Sequence, residues 1–168
     1  AHTPPWSTPT YSYINISPNP IGVGQTVNVN FFVGNPPSTA SGAYGDRWHG
    51  MTVDVVDPDG VKTTLGPFTS DDTGGTSTRF TPSKIGNYKF QFFFAGDTLQ
   101  NANPNPNIQN DPLNVFKGDY FEPSKSSIYT LVVHQDPIGY APLIPLPTEY
   151  WARPIEGQNT AWYQVASN

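Results

Sequence analysis

The stretch "TVNVNFFV", Thr26 to Val33, decides the fold class because apolar and polar residues alternate along it. The apolar side chains fall on one face of an extended chain: Val27, Val29, Phe31 and Val33. The asparagines between them fall on the other face. One apolar and one polar face are typical of an antiparallel strand that covers a core and meets water on its far side. The stretch therefore predicts a half-buried antiparallel strand.

Other segments along the chain carry strand signals of the same kind. They are "YSYINIS" from Tyr11, "MTVDVV" from Met51, "VKTTL" from Val61, "STRFTP" from Ser77, "NYKFQFFF" from Asn87 and "SIYTLVV" from Ser127. Two of them point bulky residues inward: Met51, Val53 and Val55, and Tyr88, Phe90, Phe92 and Phe94. Turn signals such as Pro58-Asp59-Gly60 separate most of these segments. About seven short strands with few helix signals predict an all-β, immunoglobulin-like antiparallel β-sandwich.

A local motif in "TPSKIGNYKFQF" supports that sandwich. Gly86 is followed two residues later by Tyr88, immediately before an alternating strand. The motif resembles the tyrosine corner of immunoglobulin-like domains, in which a tyrosine hydroxyl bonds back to the chain upstream. The alternative is a core tyrosine that happens to follow a turn.

Composition narrows the class of protein. The 168 residues include 15 Gly, 19 Pro and no Cys, only 12% are charged, and the formal net charge is −5. Without a basic stripe the chain is not expected to bind nucleic acid, and no apolar run approaches the roughly 20 residues that span a bilayer. The profile is that of a β-rich extracellular or cell-surface domain, and we expect a signal peptide to have been removed before Ala1.

The chain divides into a sandwich and an arm. Residues 1–134 are assigned to the sandwich, with a long Asn- and Pro-rich loop insertion at 96–125. Residues 135–168 include "YAPLIPLPTEYWARPIEGQNTAWYQV", which has four prolines between Pro142 and Pro154 and no strand or helix periodicity. Prolines favour extended conformations and argue against a central strand. We therefore expect an extended Pro- and aromatic-rich C-terminal arm.

The sequence offers little for catalysis. The three histidines, His2, His49 and His134, show no metal-ligand spacing, and no G-x-S-x-G nucleophile motif is present. We expect a protein that is not an enzyme and has no catalytic residues, cofactor or metal. The acidic stretches "DPDG" at Asp57 and "SDDTGG" at Ser70 could hold calcium, but Asp, Pro and Gly together favour turns.

Aromatic residues outside the strands are the main candidate for function. They could form a protein interface or a sugar-stacking platform, or they could fold back and cap the open ends of the sandwich. For Trp48, capping is the favoured interpretation. The predicted assembly residues lie in the arm: Tyr140, Tyr150, Trp151, Trp162 and Tyr163. The triplet "NIS" makes Asn15 a predicted N-glycosylation site, with Pro18 directly after the triplet.

Three segments together resemble a known family. They are "SPNPIGVGQTVNVNFFVGNPPSTASGAYGDRWHGMTVDVVDPDGVKTTLGPF", "IGNYKFQF" and the arm with its "PLPTEYWARPI". They resemble the N-terminal immunoglobulin-like domain and linker of archaeal secreted pyrroloquinoline-quinone-binding-like β-propeller repeat proteins. The resemblance implies a sandwich followed by a linker. This sequence ends at Asn168, where a first propeller blade is expected, so no quinone-site residue carries over.

These observations lead to two hypotheses for function. The first is a non-enzymatic structural subunit of a cell-surface filament, pilus or sheath, whose partners are copies of itself joined head-to-tail through an extended arm or a donated strand. Either "YSYINIS" or the C-terminal segment could be that arm. The second is an accessory domain of a larger secreted β-propeller protein, which binds carbohydrate, such as surface glycans, or a partner protein.

Overall fold

The computed structural model describes residues 2–101 and 116–139. Contacts divide the chain into two compact units, Ala1–Ile138 and Gly139–Asn168, and the first unit is the one described below. It is all-β, with no helix among the described residues. Consequently, the described part of the chain contains no helix that could cross a membrane.

Seven strands of six to nine residues form the body of the unit. They are β2 (Ser12–Ser17), β4 (Val27–Val33), β5 (Met51–Val56), β6 (Lys62–Phe68), β7 (Gly75–Phe80), β8 (Gly86–Phe94) and β12 (Tyr129–His134). Five two-residue strands complete it: β1 (Ser7–Thr8), β3 (Ile21–Gly22), β9 (Asp97–Thr98), β10 (Tyr120–Phe121) and β11 (Ser124–Lys125). The seven long strands coincide with the seven segments predicted from the sequence.

The long strands form two sheets. One has the order β2-β4-β7 and is antiparallel throughout. The other has the order β3-β12-β8-β5-β6, in which only the β3–β12 pair is parallel, and β11 adds to β8 beside β12. This is a β-sandwich, as predicted. Its assignment to the immunoglobulin-like group remains a prediction.

The core lies between the two sheets, and the alternating residues build it. β4 and β8 bury every second side chain in the predicted phase. The rings of Phe31 and Phe92, from opposite sheets, lie 5.1 Å apart, and Phe80 packs edge-on against Tyr88 at 5.5 Å. Burial of a large aromatic side chain stabilises a fold by roughly 1.5–3 kcal/mol, so these rings are a main source of stability. The outward positions can then remain polar.

The hydrogen bond predicted for the corner motif is present. The backbone N–H of Lys84 donates to the Tyr88 hydroxyl at 3.0 Å, four residues upstream of the tyrosine. Gly86 between them has a φ of +124°, and an added Cβ would lie 2.9 Å from the ring of Pro58. Glycine is therefore required at this bend.

The predicted insertion is only partly a loop. β9, β10 and β11 all fall within residues 96–125, and β10 pairs in parallel with β1 from the N-terminus. β10 also pairs with β9, which makes a third, small sheet of order β1-β10-β9. Isolated two-residue pairings carry no period-two signal, so periodicity in the sequence could not reveal them. Residues 102–115 lie outside the described part of the chain.

The segment "YSYINIS" is used inside its own sandwich. Ser12 to Ser17 pairs residue by residue with β4 of the same chain. The N-terminal segment is therefore an integral strand of the described unit.

Candidate assembly surface

An edge strand presents unpaired backbone groups, so the four edges of the two large sheets are the first places to look for an assembly contact. The edge at β3 is closed by the turn that follows it, because the N–H of Gly22 donates to Gln25 Oε1 at 2.7 Å and its carbonyl oxygen accepts from the N–H of Gln25 at 3.1 Å. Ile138 adds to this cover, since its N–H donates to Gln25 Oε1 at 2.9 Å.

The edge at β2 is also protected, and the edge at β6 is interrupted near one end. The Tyr129 hydroxyl donates to the carbonyl oxygen of Ile16 on the outer side of β2 at 3.1 Å. Ser12 and Ser124 bring their hydroxyl oxygens to 2.7 Å at the other end of the same edge. In β6, Pro67 has no amide hydrogen to offer an incoming strand. Natural proteins use covers and prolines of this kind to prevent edge-to-edge association.

β7 has no such protection among the described residues. The N–H of Val33 donates to the carbonyl oxygen of Gly74 at 3.1 Å, which makes Val33 and Gly74 a hydrogen-bonded pair of the β4–β7 ladder. Antiparallel ladders alternate, so Thr76 and Thr78 also direct their backbone groups toward β4. Ser77 and Arg79 direct theirs away, and these outward groups find no hydrogen-bond partner within residues 2–101 and 116–139.

A shallow groove of about 400 Å³ runs beside this open edge. Its lining includes Asn30, Phe32, Asp71, Thr73, Thr76 and Ser77. At one end the Oδ1 atom of Asp71 accepts hydrogen bonds from the N–H groups of Thr73 at 2.8 Å and Gly75 at 3.2 Å. Partial burial alone would raise the pKa of Asp71, but the hydrogen bond from the Thr73 hydroxyl at 2.7 Å and the bonds from these two N–H groups hold it below its ordinary value.

The outer face of the β2-β4-β7 sheet carries an exposed aromatic patch, which we define as Tyr11, Tyr13 and Phe32. Tyr13 and Phe32 are 49% and 43% exposed and stack with ring centroids 5.1 Å apart. Glycines make room for two of these side chains: a Cβ on Gly34 would be 3.2 Å from the Tyr13 ring, and one on Gly75 would be 3.0 Å from Cβ of Phe32. The patch therefore offers two stacked, exposed rings on the outer face of the sheet.

A second groove, of about 580 Å³, lies at the end of this sheet and is called the end groove below. Its lining includes Trp6, Asn35, Pro36, Ser38, Phe116 and Phe121. Gly34 also lines it, so the end groove adjoins the aromatic patch. Phe121 belongs to the buried core, whereas Trp6 is 58% exposed. The groove thus combines an apolar floor with an accessible indole.

Trp6 is held in place from two directions. The His2 ring stacks on the indole at 3.5 Å with the two planes within 6° of parallel, and His2 Nδ1 lies 2.6 Å from Oδ2 of the buried Asp119. The backbone N–H of Trp6 donates to Asp119 Oδ1 at 3.0 Å, and its carbonyl accepts from Tyr120 at 2.8 Å. The three contacts to Asp119 and Tyr120 join residues more than 110 positions apart.

The loop on the far side of the end groove is fixed by Asp46. Its carboxylate accepts hydrogen bonds from the Thr39 hydroxyl at 2.6 Å and from the N–H groups of Gln100 and Asn101 at 3.1 and 3.0 Å. Burial alone would raise the pKa of Asp46, but the bonds from Thr39, Asn101 and Gln100 lower it below its ordinary value. Next to this loop, Trp48 donates from Nε1 to the carbonyl oxygen of Asn35 at 2.9 Å.

The residues singled out from the sequence fall into three groups. Asn15 is exposed on the outward side of β2, two residues after Tyr13 and on the same face. Trp48 is fully buried against Phe94 and Phe121, so its interpretation as a capping residue is confirmed. The predicted assembly residues lie outside the described part of the chain: Tyr140, Tyr150, Trp151, Trp162 and Tyr163.

The acidic stretches act as turns in this structure. Asp57 Oδ1 accepts from the N–H groups of Asp59 and Val61 at 3.0 and 2.8 Å, as Asp71 does in its own turn. Within the described ranges, no three His, Asp, Glu or Cys side chains are grouped in a way that could hold a metal ion.

Sequence reasoning did not find the end groove or the Asp46 network. Trp6 is one of the aromatic residues outside the seven predicted strands, and that was the available signal. Nothing in the sequence links Trp6 to Asp119, or Asp46 to Gln100, because only the folded chain brings these positions together.

Comparisons with known proteins do not identify a function for these surfaces. No family model, curated protein or solved structure matches the chain.

Proposed function

We propose that this protein is a non-enzymatic structural subunit of an extracellular filament, pilus or sheath, assembled from copies of itself through extended-arm or donor-strand contacts. One observation carries the proposal. Among the described residues, covers close the β3 and β2 edges and a proline interrupts the β6 edge, whereas β7 has neither and lies open beside a groove. An exposed edge of this kind is the site at which an extended segment of another chain can add to a sheet.

The rest of the described surface agrees with assembly. Outward groups of Ser77 and Arg79 offer main-chain donors and acceptors, which give affinity without a particular sequence. Residues 155–168 contain no proline, so every one of them has an amide hydrogen that can pair with a sheet edge. A contact of an arm with the next copy is heterologous, and a heterologous contact that does not close produces a fibre.

A pair of proline variants tests the open edge. Ser77→Pro removes an N–H that points away from β4, so we expect it to fold like the parent and to lose assembly. Thr78→Pro is the matched control, because it removes an N–H from the β4–β7 ladder and leaves its acceptor unpaired, which should cost roughly 1–3 kcal/mol of unfolding free energy. Negative-stain electron microscopy detects filaments, and urea unfolding measures the free energy of unfolding of each variant.

The outcome that contradicts the proposal is equally direct. If the purified parent protein is strictly monomeric at every concentration, the subunit hypothesis fails. If the parent forms filaments and Ser77→Pro forms them equally well, the β7 edge is not the connection. Truncation after Gly139 should also abolish assembly, and this cut keeps Ile138, whose N–H is bound to Gln25.

The aromatic patch favours a second candidate function, carbohydrate binding by an accessory domain of a larger secreted β-propeller protein. Flat, exposed rings flanked by the amides of Asn15 and Asn30 provide stacking surfaces and hydrogen bonds of the type that sugars use. Glycan-array binding that is lost on Tyr13→Ala, together with a monodisperse parent, would favour this function. A downstream propeller in the same reading frame would support the accessory role.

We also propose that Asn15 carries an N-linked glycan in a glycosylating host. Its exposure on an outward face meets the accessibility requirement of the modification. The modification lies away from the open edge, since β4 separates β2 from β7.

A further inference from the structure

We propose that the end groove binds a polyproline II segment, and that its occupant is "APLIPLP", residues 141–147, of a neighbouring copy of this chain. The inference rests on the proposed self-assembly and names a binding site for the arm. It is carried by the chemistry of the groove and by the sequence of the arm.

The walls of the groove suit a proline-rich ligand. Polyproline II segments have no internal hydrogen bonds, and proteins recognise them in grooves lined by aromatic side chains. Here Trp6, Phe116 and Phe121 supply aromatic surface, and Pro36 lies among them. The indole nitrogen of Trp6 has no hydrogen-bond partner among the described residues, so its N–H can donate to a backbone carbonyl of the ligand.

The groove is organised before a ligand arrives. Stacking on His2 and two backbone hydrogen bonds fix the position of Trp6, while Phe121 is anchored in the core beside Trp48. Side chains that are already ordered lose little conformational entropy on binding. Asp119 is buried beside the groove, and its carboxylate already has hydrogen-bond partners in the His2 ring and the N–H of Trp6. The groove therefore does not require a cationic ligand.

The segment 141–147 matches these properties. It carries Pro142, Pro145 and Pro147, contains the spacing P-x-x-P, and has no charged residue. In a polyproline II conformation its seven residues span about 22 Å, at roughly 3.1 Å for each residue. Its prolines make it a poor partner for the β7 edge, which needs amide hydrogens, but not for an aromatic groove. The two surfaces therefore select different parts of the arm.

A peptide titration tests the site. The probe is a fluorescein-labelled peptide of residues 140–148, "YAPLIPLPT", and the receptor is the full chain with Pro142→Ala, Pro145→Ala and Pro147→Ala, so that its own arm does not compete. Fluorescence anisotropy should show saturable binding. Trp6→Ala in that receptor should weaken binding by about tenfold or more, as expected for loss of an aromatic anchor at the centre of a contact.

Matched controls isolate the groove. Tyr44→Ala removes an aromatic side chain that is 59% exposed and does not line the end groove, so it should leave binding unchanged. A peptide of residues 102–110, "ANPNPNIQN", contains proline without apolar neighbours and should bind at least tenfold more weakly. Thermal melts verify that each receptor is folded, and the alanine-substituted peptide repeats the test without any change to the receptor.

The outcomes separate this inference from the proposed function. Saturable peptide binding that needs both Trp6 and the prolines supports the groove even if the parent forms no filaments, in which case only the subunit hypothesis fails. No binding of the peptide, equal binding after Trp6→Ala in a folded receptor, or displacement of the peptide by maltohexaose overturns the inference. Filaments from the parent would still support the proposed function in each of these cases.

Discussion

Asp46 provides a sharp test of how the loops at one end of the sandwich are held. Its two carboxylate oxygens each face two donors: Oδ1 accepts from Gln100 N–H and Asn101 Nδ2, and Oδ2 accepts from the Thr39 hydroxyl and Asn101 N–H. An asparagine at this position would place an NH₂ group against two donors in either orientation. Asp46→Asn therefore breaks the network without removing volume.

The expected cost follows from these bonds. A hydrogen bond to a charged acceptor contributes roughly 1.5–3 kcal/mol, and leaving a buried donor unpaired costs roughly 1–3 kcal/mol. Gln100 and Asn101 are partly reached by water, which replaces some of the lost bonds. We expect Asp46→Asn to lower the unfolding free energy by about 3 kcal/mol at pH 7, a large share of the roughly 5–15 kcal/mol available to a domain.

The pH dependence gives an independent check. The folded-state pKa of Asp46 is held below its ordinary value, because the bonds from Thr39, Asn101 and Gln100 outweigh burial. The stability it supplies is therefore complete above the unfolded-state pKa of about 3.9, and it is lost as the pH falls through the lower folded-state value. The difference between parent and Asp46→Asn should shrink below about pH 4.

Urea unfolding monitored by tryptophan fluorescence measures this difference at pH 7 and across the acid range. Asp136→Asn makes the same charge change at an exposed position and should shift the unfolding free energy by less than about 0.5 kcal/mol. The reasoning is refuted if Asp46→Asn is as stable as the parent at pH 7. It is also refuted if the full difference persists at pH 2, since a protonated carboxyl cannot accept from both pairs of donors as a carboxylate does.

Two further predictions concern the corner and the glycan. Tyr88→Phe keeps the ring against Phe80 but leaves the Lys84 N–H without its acceptor. We therefore expect urea unfolding to show a loss of about 1 kcal/mol of unfolding free energy. An unchanged urea midpoint would show that this hydrogen bond contributes nothing to stability. Asn15→Gln should abolish a glycan mass seen at that peptide by mass spectrometry and should leave filament formation intact; loss of filaments would place the contact on the aromatic patch instead.

The strands and the core were predictable because their signal is local. Period-two alternation in "TVNVNFFV" and "NYKFQFFF" fixed which side chains point inward, and the structure buries the predicted residues of β4 and β8. The corner bond of Tyr88 could also be predicted, since both partners lie within five residues of each other. Short-range backbone geometry is sufficient for such features.

The candidate surfaces required the tertiary structure. Whether β7 is an open edge depends on which strands take the neighbouring places, and sequence alternation is the same for an edge strand and a central strand. At the end groove Trp6 meets Asp119 and His2 meets Phe116, and the Asp46 network brings residue 46 to residue 101. The amino-acid sequence by itself determined an all-β sandwich with a proline-rich arm, because hydrophobic periodicity and proline act locally. Only the tertiary structure decided which strand edge and which groove the sandwich leaves accessible. Both depend on contacts between residues far apart in the chain, which no local sequence pattern predicts.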